Sequence, residues 1–237
     1  MSIMFMKKMI TKKNNWFYGM IHNLKAITGY NNTHYRQKKW INISLHECQQ
    51  GASYSWGKAL EDEDRLGDYV KIRDEFLIPS STGKTVLELG CLDGKWSQYI
   101  VPVAKHTTLV DLSKDILPVL EKRIKKVGGN YTFYETKGFE LNGVADGTID
   151  LIFSMDTLVR VNKRFLKKYF TEFRRILKMD GKLLLHLPCI TSPMSRKKKF
   201  VMLSPTHIAD YMYSNGFKKF QFDFYHINHG VLLLYGF

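Results

Sequence analysis

Apolar and polar positions follow two rhythms along this chain. From about residue 62, short apolar runs bounded by turn residues recur between stretches with helical spacing. KTVLEL (Lys84 to Leu89) reads as a buried strand and HTTLV (His106 to Val110) as a second. YTFYET, IDLIFS and GKLLLHL supply a third, fourth and fifth. Between them, EDRLGDYVKIRDEFL predicts a helix ending near Pro79, and KWSQYIVPVA opens another. Ser113 is placed to cap the helix carrying ILPVLEKRI. In NKRFLKKYFTEFRRIL, residues Phe165, Leu166, Tyr169, Phe170, Phe173, Ile176 and Leu177 share one stripe.

Strands alternating with helices predict a parallel, doubly wound sheet. The end of the chain breaks the rhythm. Ser204–Pro205 starts a last helix and Gly216 stops it. FKKFQFDFYHI and GVLLLYGF then follow, joined by a short turn around Asn228–Gly230. A connection that short makes an antiparallel pair. The expected fold is α/β: a mostly parallel, doubly wound sheet of seven strands ending in an antiparallel hairpin.

Charge changes the picture at the N-terminus. The formal net charge is +14. In the first fifty residues, eight basic side chains face a single acid, Glu47. Trp16, Phe17, Met20, Ile21, Leu24 and Ile27 fall on one helical face there. This divides the chain into a basic, partly helical extension (1–55) and a folded domain (56–237). Residues 12–28 combine an apolar stripe with lysines, as an interfacial helix does, so peripheral membrane contact is one expectation. Packing of the stripe on the folded domain is the other. Cys48, Cys91 and Cys189 form no paired spacing, so neither a disulfide framework nor a zinc site is expected. The expected compartment is cytoplasmic, with no signal peptide and no apolar run near bilayer length.

The chemistry begins at TVLELGCLDGKWSQYI (Thr85 to Ile100). A strand, a glycine turn and a helix form a nucleotide-cofactor geometry. A phosphate loop at STGKT fails, because the glycine it needs is Ile78 and the motif precedes the strand. A dinucleotide turn wants G-x-G-x-x-G, and GCLDG lacks the middle glycine. The stretch resembles motif I of the class I S-adenosylmethionine-dependent methyltransferases, E/D-x-G-x-G-x-G. Glu88, Gly90 and Gly94 match, and Leu92 replaces the middle glycine. Asp111 ends the second strand, where that family places an acid on the ribose diol. DGTIDLIFSMDTLVRV and RRILKMDGKLLLHLP resemble the fourth strand, its loop and the fifth strand, with Met179–Asp180–Gly181 in place of Pro-Gly-Gly. The resemblance implies a Rossmann-like methyltransferase fold and S-adenosyl-L-methionine as cofactor. It assigns Glu88, Gly90, Gly94, Asp111, Gly138, Phe139 and Ser154 to the cofactor, with Phe139 as an adenine wall. Lys137 stands where relatives often carry an acid that reads the adenine amine.

The acceptor is less specified. The N/D-P-P-Y motif of many base N-methyltransferases is absent; Ser154–Met155–Asp156–Thr157 occupies its place. At finer grain, YSWGKALEDEDRLGDYVKIRDEFL, LELGCLDGKWS and FSMDTLVRV resemble sugar O-methyltransferases of bacterial surface-polysaccharide systems. That implies a sugar or glycan hydroxyl as acceptor, with Trp56 and Arg160 in contact with it. Arg160 would suit an acidic sugar. His186, at the carboxyl end of the fifth strand and facing the cleft, and Asp156 are the first candidates for proton removal, the carboxylate orienting the ring. His226 and His229 come next. Two other classes compete: an RNA methyltransferase using the basic charge, and a cofactor-binding scaffold without turnover.

Overall fold

The computed structural model describes residues 69–192, 195, 201, 203–227 and 230–237. The basic extension, Trp56, His229 and most of the Ser195–Phe200 run lie outside the described residues.

The first described element, α1 (69–81), has three parts. Tyr69–Lys71 is α-helical, Ile72–Leu77 makes a π turn, and Ile78–Ser81 is α-helical again. The helix therefore runs past Pro79, where the sequence predicted its end. Proline removes one backbone donor and crowds the preceding turn. Here it follows directly on the π segment, whose wider bonding pattern takes the Ile78 N–H back to the Arg73 carbonyl.

The remaining elements are β1 (Thr85–Leu89), α2 (Ser97–Ile100), β2 (His106–Asp111), α3 (Leu117–Ile124), β3 (Tyr131–Glu135), β4 (Ile149–Ser154), α4 (Lys163–Ile176), β5 (Leu177–Leu187), α5 (Pro205–Ser214), β6 (Phe220–Asp223) and β7 (Val231–Tyr235). They build a seven-stranded sheet in the order β3-β2-β1-β4-β5-β7-β6. The first five strands pair in parallel, while β7 runs antiparallel to both β5 and β6. This is the expected doubly wound sheet with its terminal hairpin.

Alternation along the strands puts two layers of helices on two faces. Leu151, Phe153, Leu184, Leu232 and Leu234 bury against α1 and α2 through Tyr69, Ile72, Leu77, Trp96 and Ile100. Ile152, Leu183, Leu185, Leu187 and Leu233 bury against α4 and α5 through Phe170, Phe173, Ile208 and Met212. Each fully buried side chain of this size contributes about 1.5–3 kcal/mol. The α4 stripe is buried as predicted at Leu166, Tyr169, Phe170, Phe173 and Ile176, with Phe165 half-buried.

Two boundaries differ from the sequence reading. β5 begins at Leu177, directly after α4, rather than at Gly181; the register shifts between the Leu177–Ile149 and Lys182–Leu151 pairs. Gly181 is required inside that strand, because a Cβ there would lie 2.7 Å from Leu177 Cγ. The hairpin connection spans 224–230, longer than a turn at 228–230. Asp223 starts it by accepting the Tyr225 and His226 N–H groups at 2.7 and 3.1 Å. Among the described residues, no helix is long and apolar enough to cross a membrane.

Candidate active site

Open α/β sheets bind ligands in the cleft beyond the carboxyl ends of their parallel strands, and the turn after β1 lies there. Gly90, Leu92 and Gly94 have φ of 81, 45 and 82°, so left-handed residues alternate through it. Leu92 thus takes the conformation a middle glycine would supply. For a residue with a Cβ this costs about 1–2 kcal/mol. The turn keeps its shape because the backbone fixes it: the Gly90 and Cys91 N–H groups share the Val110 carbonyl, and Gly94 N–H bonds Cys91 O at 2.9 Å. Gly94 also lets the turn meet α3, since a Cβ there would lie 2.8 Å from Leu120 Cδ1. A Cβ on Gly90 would lie 2.8 Å from Thr157 Cβ.

Asp111 closes β2 beside this turn and is buried. Its Oδ2 accepts the Leu92 N–H at 3.0 Å and its Oδ1 the Leu112 N–H at 2.7 Å. Burial pushes its pKa up, and backbone N–H groups of Leu92, Leu112 and Ser113 oppose that rise. A carboxylate has about four acceptor sites, so with these backbone N–H groups in place Asp111 keeps room to accept from a diol hydroxyl.

Glu88 sits differently. It is buried within β1, and Ser97 Oγ donates to its Oε2 at 2.6 Å. Burial pushes its pKa up to about 8; the Ser97 bond works against this, while Asp93 and Asp111 add to it. Glu88 therefore ties β1 to α2 beneath the turn. Ser154 is also buried and donates to the Leu89 carbonyl at 3.0 Å, a tie between β4 and β1.

The loop after β3 folds on α4. Tyr169 OH donates to the Gly138 carbonyl at 2.9 Å, and Leu141 N–H bonds Glu172 at 3.0 Å. Phe139 lies near parallel to Phe165, centroids 6.0 Å apart, with the Lys168 ammonium 4.3 Å from its centroid.

Asp156 stands at the carboxyl end of β4 with φ of 59°. Strain of this kind on a non-glycine residue concentrates at functional sites. Its Oδ2 accepts Tyr69 OH at 2.7 Å, and its Oδ1 lies 3.0 Å from His186 Nδ1. The Asp156 N–H also lies 3.3 Å from that nitrogen. These contacts belong to different protonation states: a bare Nδ1 accepts the N–H, and a protonated Nδ1 donates to the carboxylate. His186 was expected on the cleft wall. It is instead wholly buried on the α1 face, with Gly230 so close that a Cβ there would lie against Nε2 and 2.7 Å from Cδ2 of the ring. The Asp156 side chain is 22% exposed, so it stands in front and His186 behind. Arg160 ends the 3-10 turn Leu158–Arg160 that follows, its N–H on the Thr157 carbonyl at 3.2 Å. His226 pairs with Asp223 and meets the edge of Phe76 at 5.7 Å.

Two participants were missed in the sequence. Tyr69 holds Asp156, and the Lys95 ammonium lies 4.5 Å from the Tyr69 ring centroid. Burial lowers the Lys95 pKa, while Asp156 and Asp93 act to raise it. Tyr69 occupied an apolar helical stripe, where a core tyrosine looks the same. Lys95 followed the glycine turn but carried no spacing signal.

A seven-stranded sheet with this strand order, its antiparallel end and the left-handed turn after β1 make a Rossmann-like methyltransferase fold. Residues 86–181 match the sequence profile of a family described as "Methyltransferase domain". The chain is 27% identical over 136 residues to phosphoethanolamine N-methyltransferase 1 of Triticum aestivum, and 28% over 153 residues to the Zea mays protein of that name. Those stretches cover 56% and 61% of this chain, but it spans only 26% and 28% of those relatives. Among solved structures, the PH0226 protein of Pyrococcus horikoshii superimposes with a TM-score of 0.59 at 18% identity, over 77% of this chain and 91% of that one. Phosphoethanolamine N-methyltransferase 1 of Haemonchus contortus, in complex with phosphoethanolamine and S-adenosylhomocysteine, gives 0.53 at 16% identity, over 75% and 36%. The Haemonchus contortus structure holds the demethylated form of S-adenosylmethionine, and S-adenosylmethionine is the cofactor expected here. The residues present fit it. Asp111 keeps acceptor capacity for a diol hydroxyl, and the Gly90–Gly94 turn lies beside it at the carboxyl ends of β1 and β2.

Proposed function

We propose that this chain transfers a methyl group from S-adenosylmethionine to a nucleophile on a small polar acceptor. The observation that carries this reading is the strained Asp156, held by Tyr69 and His186 beside the motif I turn. The cofactor supplies an electrophilic methyl group on a sulfonium. The residues of this chain do the rest. The Gly90–Gly94 turn and Asp111 would hold the amino-acid end and the diol. Methyl transfer is an in-line displacement, so alignment is the main task, and the acceptor must lose one proton. Asp156 is the exposed member of the chain and would take that proton. Tyr69 OH steadies one carboxylate oxygen, and His186 Nδ1 stands next to the other to receive the proton in turn. The imidazole then changes from acceptor of the Asp156 N–H to donor to its carboxylate.

The acceptor we favour is a sugar hydroxyl, from the motif resemblance around LELGCLDGKWS and FSMDTLVRV, with Arg160 near an acidic group. A second reading has its own support. The curated relatives are named for phosphoethanolamine N-methylation, which would make the nucleophile an amine. The proton-handling group serves either. The test is transfer of labelled methyl from S-adenosylmethionine into sugar-nucleotide and glycan pools and, separately, into phosphoethanolamine. Asp156→Asn should lower turnover roughly 100-fold or more with cofactor affinity retained. Cofactor binding with no transfer to either class would contradict the reading and favour a scaffold.

A further inference from the structure

α4 opens with a charge pattern that works against the helix. Lys163, Arg164, Lys167 and Lys168 occupy its first turns, with no acid in the first turn. Lys163–Lys167 and Arg164–Lys168 are like-charge pairs at i,i+4, each unfavourable by a few tenths of a kcal/mol. Cations at this end also oppose the helix dipole. All four side chains are exposed. Among the described residues, those of Lys163, Arg164 and Lys167 make no ion pair. Arg175, at the other end of the same helix, is paired with both Glu172 and Asp146. A local rule broken without structural return marks a place where function decides.

The place is informative. α4 leaves the carboxyl end of β4, seven positions beyond Asp156. Lys137, exposed, leaves the carboxyl end of β3, and its loop is pinned to α4 through Tyr169 and Gly138. Lys168 brings its ammonium to Phe139, which lies against Phe165. Lys168 thus meets an aromatic pair, and the other cations lie on the two connections that leave the carboxyl ends of β3 and β4, the side on which open α/β sheets bind ligands.

We propose that the acceptor is phosphorylated, and that Lys137, Lys163, Arg164, Lys167 and Lys168 receive its phosphate or diphosphate. The word acceptor rests on the methyltransferase reading above; the anion site itself does not. The shared chemistry is a phosphate ester, which a sugar diphosphate and phosphoethanolamine both carry. Charge-assisted bonds from several cations suit it.

Inorganic pyrophosphate is the probe, titrated into the full chain by calorimetry at low and high salt. Binding should weaken with salt. Lys163→Glu with Lys167→Glu should weaken it at least roughly tenfold, an opposite charge now facing the anion. Lys105→Glu with Lys218→Glu makes the same charge change at exposed positions that precede β2 and β6, at the end of the sheet opposite the carboxyl ends of β3 and β4. That control should bind as the unaltered chain does. Phosphoethanolamine and a sugar-nucleotide are then used as competitors, and the one that displaces pyrophosphate identifies the source of the phosphate. No pyrophosphate binding at low salt, equal loss in both double variants, or displacement by neither competitor would overturn the proposal. Intact anion binding without methyl transfer would instead count against the methyltransferase reading alone.

Discussion

Leu92 and Glu88 show how far single residues depart from their motif while the turn survives. The missing glycine was legible in GCLDG, and so was a threat to the turn. What the letters hid was that backbone bonds to Val110 and Asp111 hold Leu92 left-handed anyway. Glu88 matched the motif but lies under the turn, bonded to Ser97. Its folded pKa of about 8 exceeds the ordinary 4.5. A carboxyl raised on folding binds its proton more tightly in the native state. Its stabilising contribution is therefore complete below about pH 4.5 and lost as pH rises towards 8. Glu88→Gln keeps a partner for Ser97 and removes the titration. The stability gap between Glu88→Gln and the unaltered chain should shift in favour of the variant by on the order of 2–4 kcal/mol between pH 5 and 8. Urea melts at several pH values measure this in the absence of cofactor. Parallel pH profiles would contradict the assignment.

At the scale of elements, periodicity carried most of the information. The α4 stripe and the apolar runs of β4 and β5 were readable because burial on one face of a helix and both faces of a strand leaves different patterns. Gly181 and Pro79 misplaced two boundaries for one reason. Each is a breaker by local preference, and each is overruled by its surroundings: Leu177 against Gly181, and the π turn before Pro79. The packing of α4 gives a direct prediction. Phe173→Ala removes a fully buried ring and should cost about 3–5 kcal/mol. Lys167→Ala, on the exposed face of the same helix, should cost nothing or stabilise slightly by relieving a like-charge pair. Thermal or denaturant melts of the two variants check this; similar losses would mean the stripe is not what anchors the helix.

At the scale of the molecule, the fold was legible because alternation of strand and helix, followed by a short final connection, leaves few topologies. The turn and the acid proposed to hold the cofactor were legible for the same reason: both lie at strand ends. The proton-handling chain was only half legible. Tyr69, Asp156 and His186 come from α1, β4's end and β5, and no sequence spacing joins them. The acceptor was least legible, since the groups that would receive it are exposed charges whose partner is not part of the chain.

The central claim is that the Gly90–Gly94 turn and Asp111 bind S-adenosylmethionine. Calorimetric titration of S-adenosylhomocysteine tests it without any knowledge of the acceptor. The unaltered chain should bind one equivalent. Asp111→Ala, checked as folded by its melting profile, should lose about 2–4 kcal/mol of binding, the value of two partly buried hydrogen bonds to a charged group. Equal affinity in the two proteins, or none in either, would contradict the account.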